Sequence, residues 1–129
     1  MKKSFMLVLL AALLLAGCGK QTGKTQEAAL MNITAEEAKK LMDSESGYVI
    51  LDVRTEQEYA QGHIPGAILI PDYEISEKAE SVLTDKDQLI LVYCRSGRRS
   101  KNAAAQLEEM GYTRIREFGG ILDWPYETE

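Results

Sequence analysis

The run QLILVY, Gln88 to Tyr93, constrains the fold more than any other stretch. It is apolar at nearly every position and too short for a self-standing helix. A strand of that kind has no polar face to turn to water, so it belongs at the centre of a parallel sheet covered on both sides. YVILDV, Tyr48 to Val53, is a second β-rich run, bounded by Gly47 and a charged segment. AILI, Ala67 to Ile70, is a third, entered through HIPG and left through Pro71. RIREF, Arg114 to Phe118, alternates in polarity and predicts a more exposed strand.

Helices fall between these runs. Thr34-Ala35-Glu36-Glu37 is a capping box, with Ile33 placed to staple onto Ala38 and an apolar face continued by Leu41 and Met42. Thr55 to Glu58 repeats the box, and Gly62 should stop the helix it opens. Weaker signals predict a helix over Tyr73 to Leu83. SKNAAAQLEEM, Ser100 to Met110, is a strong helix closed by Gly111. This alternation predicts an α/β domain with a mainly parallel sheet and helices on both faces. A chain of 129 residues has room for one such domain.

The first residues are of another kind. Lys2 and Lys3 precede the apolar run Phe5 to Ala16, which has the length of a signal-peptide core and falls short of the roughly 20 residues a membrane span needs. LAGC, Leu15 to Cys18, follows and resembles the lipobox of bacterial lipoproteins, in which the cysteine is lipidated and begins the mature chain. The expected organisation is a lipoprotein-type signal peptide over residues 1–17, lipidated Cys18 with a flexible tether over 18–31, and a folded domain over 32–129. The expected location is the extracytoplasmic side of the cell membrane, held by lipid.

The whole chain carries 15 basic and 20 acidic residues, a formal net charge of -5. Removing residues 1–17 takes away two lysines and no acids, leaving 13 basic against 20 acidic residues, or -7. No basic stripe with interleaved aromatics exists to follow a nucleic-acid groove, so no nucleic-acid partner is expected. One His and two distant Cys make no convincing metal site, and no metal or cofactor is expected. With Cys18 lipidated, Cys94 is the only free thiol, so neither an internal disulfide nor a Cys-x-x-Cys pair can form.

Against that acidic background, CRSGRRSK places Arg95, Arg98, Arg99 and Lys101 around Cys94. In an open α/β sheet, chemistry sits in the crevice beyond the carboxyl ends of the strands, and Cys94 directly follows the most buried one. Gly97 permits a positive-φ turn that aims successive N–H groups at one point. The next helix adds its N-terminal donors. All of these terms favour thiolate over thiol. The bland alternative is that Cys94 is a small buried hydrophobe; the combination of strand, cysteine, cationic glycine loop and helix favours a reactive thiol.

Three stretches together resemble the rhodanese-type sulfurtransferases: CRSGRRS, Cys94 to Ser100; LDVRTEQEYAQGHIPGA, Leu51 to Ala67; and FGGILDW, Phe118 to Trp124. The match runs over roughly residues 32 to 126. The resemblance implies a single-domain sulfurtransferase in which Cys94 takes the outer sulfur of a donor such as thiosulfate as a persulfide. A thiophilic acceptor such as cyanide or a thiol then removes it. Arg95, Ser96, Gly97, Arg98, Arg99 and Ser100 become the substrate-binding loop, with the arginines available for an anionic donor. A protein thiol is a further possible acceptor, and a monomer is expected.

Two other readings share the architecture. A cysteine phosphatase or arsenate reductase uses Cys-x5-Arg, but here the sixth residue after Cys94 is Ser100 and the last arginine, Arg99, is the fifth. A shorter ring suits a single sulfur better than a phosphoryl group. A non-enzymatic sulfur carrier that loads Cys94 and passes sulfur only to a protein partner is the other alternative. Asp52 and Arg54, at the end of a strand, are expected to brace the cysteine loop from behind. His63, the sole histidine, is expected in a structural turn and not as a base. Trp124 is expected in the core or at the rim of the pocket.

Overall fold

The computed structural model describes residues 27–129. The expected signal peptide, Cys18 and most of the expected tether lie outside the described residues. Five parallel strands form one sheet in the order β1-β5-β4-β2-β3. In chain order they are β1 (Leu30–Asn32), β2 (Val49–Asp52), β3 (Ile68–Leu69), β4 (Ile90–Cys94) and β5 (Ile115–Gly120). The helices are α1 (Ala35–Ser44), α2 (Glu56–Gln61), α3 (Ile75–Val82) and α4 (Arg98–Glu109). Short 3₁₀ turns cover Asp72–Glu74 and Ile121–Asp123.

The apolar run forms the central strand. Every residue of β4 is buried, between β2 and β5. Leu91 and Val92 have no exposure and point to opposite faces, and burying each contributes roughly 1.5–3 kcal/mol. On one face Ile90, Val92, Cys94 and Ile115 pack with Ala79 of α3 and Ala103, Ala104 and Leu107 of α4. On the other, Leu91, Tyr93, Phe118 and Trp124 pack with Ala38 of α1, with Tyr59 of α2 at the margin. Thr34 and Thr55 both close full capping boxes, with Glu37 and Glu58 respectively.

The structure corrects the sequence reading at three places. Leu30 and Met31, assigned to the tether, form β1, which pairs with β5. For that reason β5 is not an exposed strand: Ile115, Arg116, Glu117 and Phe118 are all buried. Arg116 reaches past the edge to the Glu27 carboxylate at 2.9 Å and the Ala29 carbonyl at 3.1 Å. The last helix begins at Arg98 and not at Ser100, so Arg98, Arg99 and Ser100 occupy its first turn.

Candidate active site

Cys94 ends β4, and the chain turns at once into α4 through Arg95, Ser96 and Gly97. The turn closes because Gly97 adopts φ +109°, a left-handed conformation that a side chain resists. This geometry brings the Gly97 N–H back onto Cys94, donating to Sγ at 2.9 Å. Ser100, one helical turn on, places Oγ 3.3 Å from Sγ. Cys94 is fully buried, as a structural cysteine would be, but a small hydrophobe needs neither an N–H nor a hydroxyl aimed at its sulfur. The Gly97 N–H is the kind of neutral donor a sulfur anion requires, while Ser100 Oγ accepts from the Cys94 thiol.

A second segment supports the loop from below. Gly120 stands opposite Cys94 in the β4–β5 register. A Cβ there would lie 2.6 Å from Ser96 Cα and closer still to the Arg95 carbonyl, so the loop rests directly on the Gly120 backbone. Gly119 approaches Gly97, whose own Cβ would meet Gly119 Cα at 3.5 Å. Leu122 N–H donates to the Arg95 carbonyl at 3.3 Å.

The loop cations divide. Arg99 grips Glu58 of α2 with two hydrogen bonds, Nη1 to Oε1 at 2.7 Å and Nη2 to Oε2 at 2.9 Å. Hydrogen bonding to Arg99, helped by Thr55 at the helix cap and opposed by partial burial, lowers the Glu58 pKa from 4.5 to about 2. Arg99 therefore clamps α4 to α2, while Arg95, Arg98 and Lys101 are exposed. A groove of about 350 Å³ runs along this flank, bordered by Arg54, Glu58, Gln61, Arg95, Ile121 and Leu122.

Asp52 and Arg54 form a buried ion pair, Nη2 to Oδ2 at 2.7 Å. Its remaining bonds do not run to the cysteine loop. Arg54 Nη2 donates to the Gly62 carbonyl at 2.7 Å, and Tyr93 Oη donates to Asp52 Oδ2 at 2.7 Å while accepting the Ile64 N–H at 3.0 Å. The pair thus fixes Tyr93, the residue before Cys94, and the HIPG turn. Burial, reinforced by the Asp52 carboxylate, pushes the Tyr93 phenol upward in pKa, so it remains a donor. His63 stacks on Tyr59 at 3.8 Å; its Nδ1–H donates to the Tyr59 carbonyl at 3.0 Å, and Nε2 faces Glu129 at 3.3 Å. Trp124 packs in the core beside Phe118 and donates to the Glu127 carbonyl. It also lines a cavity of about 530 Å³ with Lys39, Met42, Tyr48, Ile64 and Tyr126, none of them a loop residue. Among the described residues no group of three His, Cys, Asp or Glu side chains is placed to hold a metal.

Sequence reasoning missed Glu117. Its side chain is 2% exposed and accepts from Ser100 Oγ at 2.6 Å and from the Gly119 N–H at 2.8 Å. The signal was in the strand period: two residues from apolar Ile115, Glu117 must share its face, the face under α4.

Comparison with known proteins bears on this arrangement of strand, cysteine loop and helix. The family description "Rhodanese-like domain" matches residues 34–126, well over half of the chain. The chain belongs to the rhodanese-like family. It is 42% identical over 73 residues to the thiosulfate sulfurtransferase PspE of Escherichia coli (strain K12), covering 57% of this chain and 70% of that protein. It is 34% identical over 112 residues to the putative sulfur carrier protein YrkF of Bacillus subtilis (strain 168), covering 86% of this chain and 60% of that one. Among solved structures, an E. coli rhodanese with anions superposes with a TM-score of 0.60 at 38% identity, covering 64% of this chain and 96% of the other. The fold is that of the rhodaneses, and the protein is a rhodanese-type transferase whose substrates are a sulfur donor and a sulfur acceptor.

Proposed function

We propose that this rhodanese moves a sulfane sulfur from a small anionic donor to a thiophilic acceptor through a persulfide on Cys94. The observation that carries the reading is the Gly97 N–H aimed at Sγ within a loop that turns directly into α4. With thiosulfate, the Cys94 thiolate attacks the outer sulfur, the S–S bond of the donor breaks, and sulfite leaves with the electron pair. The persulfide anion occupies the same donors. Cyanide, or a thiol, then attacks the outer sulfur, and the Cys94 thiolate departs as leaving group. Exposed Arg95 and Arg98 draw the donor to the loop, and Arg99, already held by Glu58, keeps the helix that frames it in place. The chain's likeness to a thiosulfate sulfurtransferase and to a rhodanese structure holding anions supports this choice of donor.

The test is intact mass. One added sulfur after thiosulfate, absent in Cys94→Ser and removed by cyanide, is the expected result; no gain with thiosulfate or polysulfide overturns it. Likeness to a putative sulfur carrier favours, as a second reading, delivery of the same persulfide sulfur to a protein thiol. Loading without steady turnover on cyanide or small thiols would select it. We further propose that Cys18 carries the lipid that holds the domain on the extracytoplasmic face of the membrane, from the order of charged start, short apolar core and LAGC. Labelled fatty acid should enter the protein and be lost in Cys18→Ala; equal labelling of both would remove the proposal.

A further inference from the structure

Glu117 is a buried carboxylate beside a nucleophile whose sulfur chemistry, as proposed above, gives it no task. It lies on β5 across from Val92, on the sheet face that also carries Cys94. Ser100 Oγ stands between the two, 3.3 Å from Sγ and 2.6 Å from Glu117 Oε1. The second distance is that of an O–H donating to a charged oxygen. A hydroxyl has one hydrogen. Its other neighbours, the Gly97 carbonyl at 3.0 Å and the Gly119 carbonyl at 3.3 Å, can only accept and are farther away.

That single hydrogen links the protonation of sulfur and carboxylate. When Ser100 donates to Glu117, its oxygen can only accept from Cys94, which must then be S–H. When Ser100 turns its hydrogen to a Cys94 thiolate, its oxygen is free to accept from Glu117, which must then be a carboxylic acid. Both arrangements satisfy the same contacts at the same distances. They differ by one proton, moved from Sγ to Oε1.

We infer that Cys94 and Glu117 share one proton through Ser100, so that the thiolate forms by passing its proton inward to Glu117 rather than outward to water. In the step the Cys94 S–H bond breaks and its electron pair stays on sulfur; the proton goes to Ser100 Oγ as the Ser100 proton goes to Glu117 Oε1. No charge is created, and the buried site keeps one negative charge throughout. This matters for an anionic donor, because two ionised groups in one buried pocket would repel it and each other. The surroundings permit the sharing. Gly97 N–H steadies the sulfur, Gly119 N–H steadies Oε1, and Arg99 on α4, whose field reaches Cys94, is divided with Glu58 of α2 and Asp72 of the neighbouring turn. Arg116, next in sequence, points to the opposite face and to Glu27. The register partner on β1, Asn32, is uncharged.

Glu117 is on this reading a positioning residue acting through Ser100, and its signature is spectroscopic. Two interacting groups lose protons in two macroscopic steps that belong to the pair. Ultraviolet thiolate absorbance of the full chain, taken as the difference from Cys94→Ser, should rise in two steps with pH. In Glu117→Gln the rise should collapse to one. Infrared spectra should show a protonated carboxyl band that is lost in Glu117→Gln and also in Cys94→Ser, where no thiol remains to supply the proton. The Cys94→Ser comparison leaves Glu117 in place and serves if Glu117→Gln does not fold. A single thiolate step with the same midpoint in both proteins, or no carboxyl band sensitive to Cys94, overturns the inference. Neither readout requires sulfur transfer, so failure of the persulfide cycle is seen separately, by mass.

Discussion

Gly120→Ala isolates the support beneath the cysteine loop. The backbone there is extended, with φ -127° and ψ 157°, so alanine introduces no conformational strain of its own. What it introduces is a methyl group 2.6 Å from Ser96 Cα, and nearer to the Arg95 carbonyl. Carbon atoms pack comfortably at about 3.5 Å, so the loop has to retreat by roughly 1 Å. β5 is held by β4 at Gly120 itself and by β1 as far as Glu117, so the displacement falls on the loop. A retreat of that size stretches the 2.9 Å Gly97 N–H to Sγ bond to about 3.9 Å, the far end of the range for a sulfur acceptor, and weakens it. Overpacking of this kind costs about 1–3 kcal/mol, and each kcal/mol lowers the melting temperature of a domain this size by about 4–8 °C. A weakened N–H donor to the sulfur and a misplacement of about 1 Å should cut thiosulfate-to-cyanide turnover on the order of 100-fold. Thermal melting and thiocyanate production measure the two effects. Alanine at 120 with wild-type melting and turnover would refute the claim that the loop rests on this glycine.

The clamp between Arg99 and Glu58 is read by acid. Because the Glu58 carboxyl ionises at about 2 in the folded chain against an ordinary 4.5, its contribution is complete above the ordinary value and disappears as pH falls toward the folded one. The stability gap between wild type and Glu58→Gln, about 1–3 kcal/mol after allowance for solvent screening of a partly exposed pair, should be constant above roughly pH 5 and shrink below it. A gap indifferent to pH in urea titrations would contradict the assignment. Tyr93→Phe removes the hydroxyl shared by Asp52 and the Ile64 N–H. Leaving that buried N–H without a partner should cost about 1–3 kcal/mol in urea unfolding, and unchanged stability would show that the network does not hold the turn.

What could be read from the chain alone followed from local rules. The run at 88–93 announced a central strand because no polar face interrupts it, and both capping boxes named their helix starts, since cap chemistry involves only residues three apart. The reading failed where partners are distant in sequence. β1 has three residues and little pattern of its own; it exists because β5 offers an edge more than eighty positions away, as the pairing of Leu30 with Ile115 shows. The burial of β5 then follows from a strand that no local signal announces. The roles of the loop arginines were equally hidden. CRSGRRS presents three guanidinium groups within five positions, and only the position of Glu58 on another helix separates Arg99 from the rest.

That separation changes the meaning of the positive charge gathered around a lone thiol. Arg99 is matched to a carboxylate, while Arg95, Arg98 and Lys101, which have no ion pair among the described residues, stand in solvent, where water and salt weaken their reach to a buried sulfur. The groups that touch Sγ are neutral, an amide N–H and a hydroxyl. In a water-poor site a fixed backbone dipole such as the Gly97 N–H outperforms screened charges, because it is already oriented and needs no reorganisation when sulfur becomes an anion. The division assigns the sulfur to the backbone turn and the approach of an anionic donor to the exposed cations. It also explains why Gly97 and Gly120, which bear no charge at all, determine more of the site's geometry than any arginine beside them.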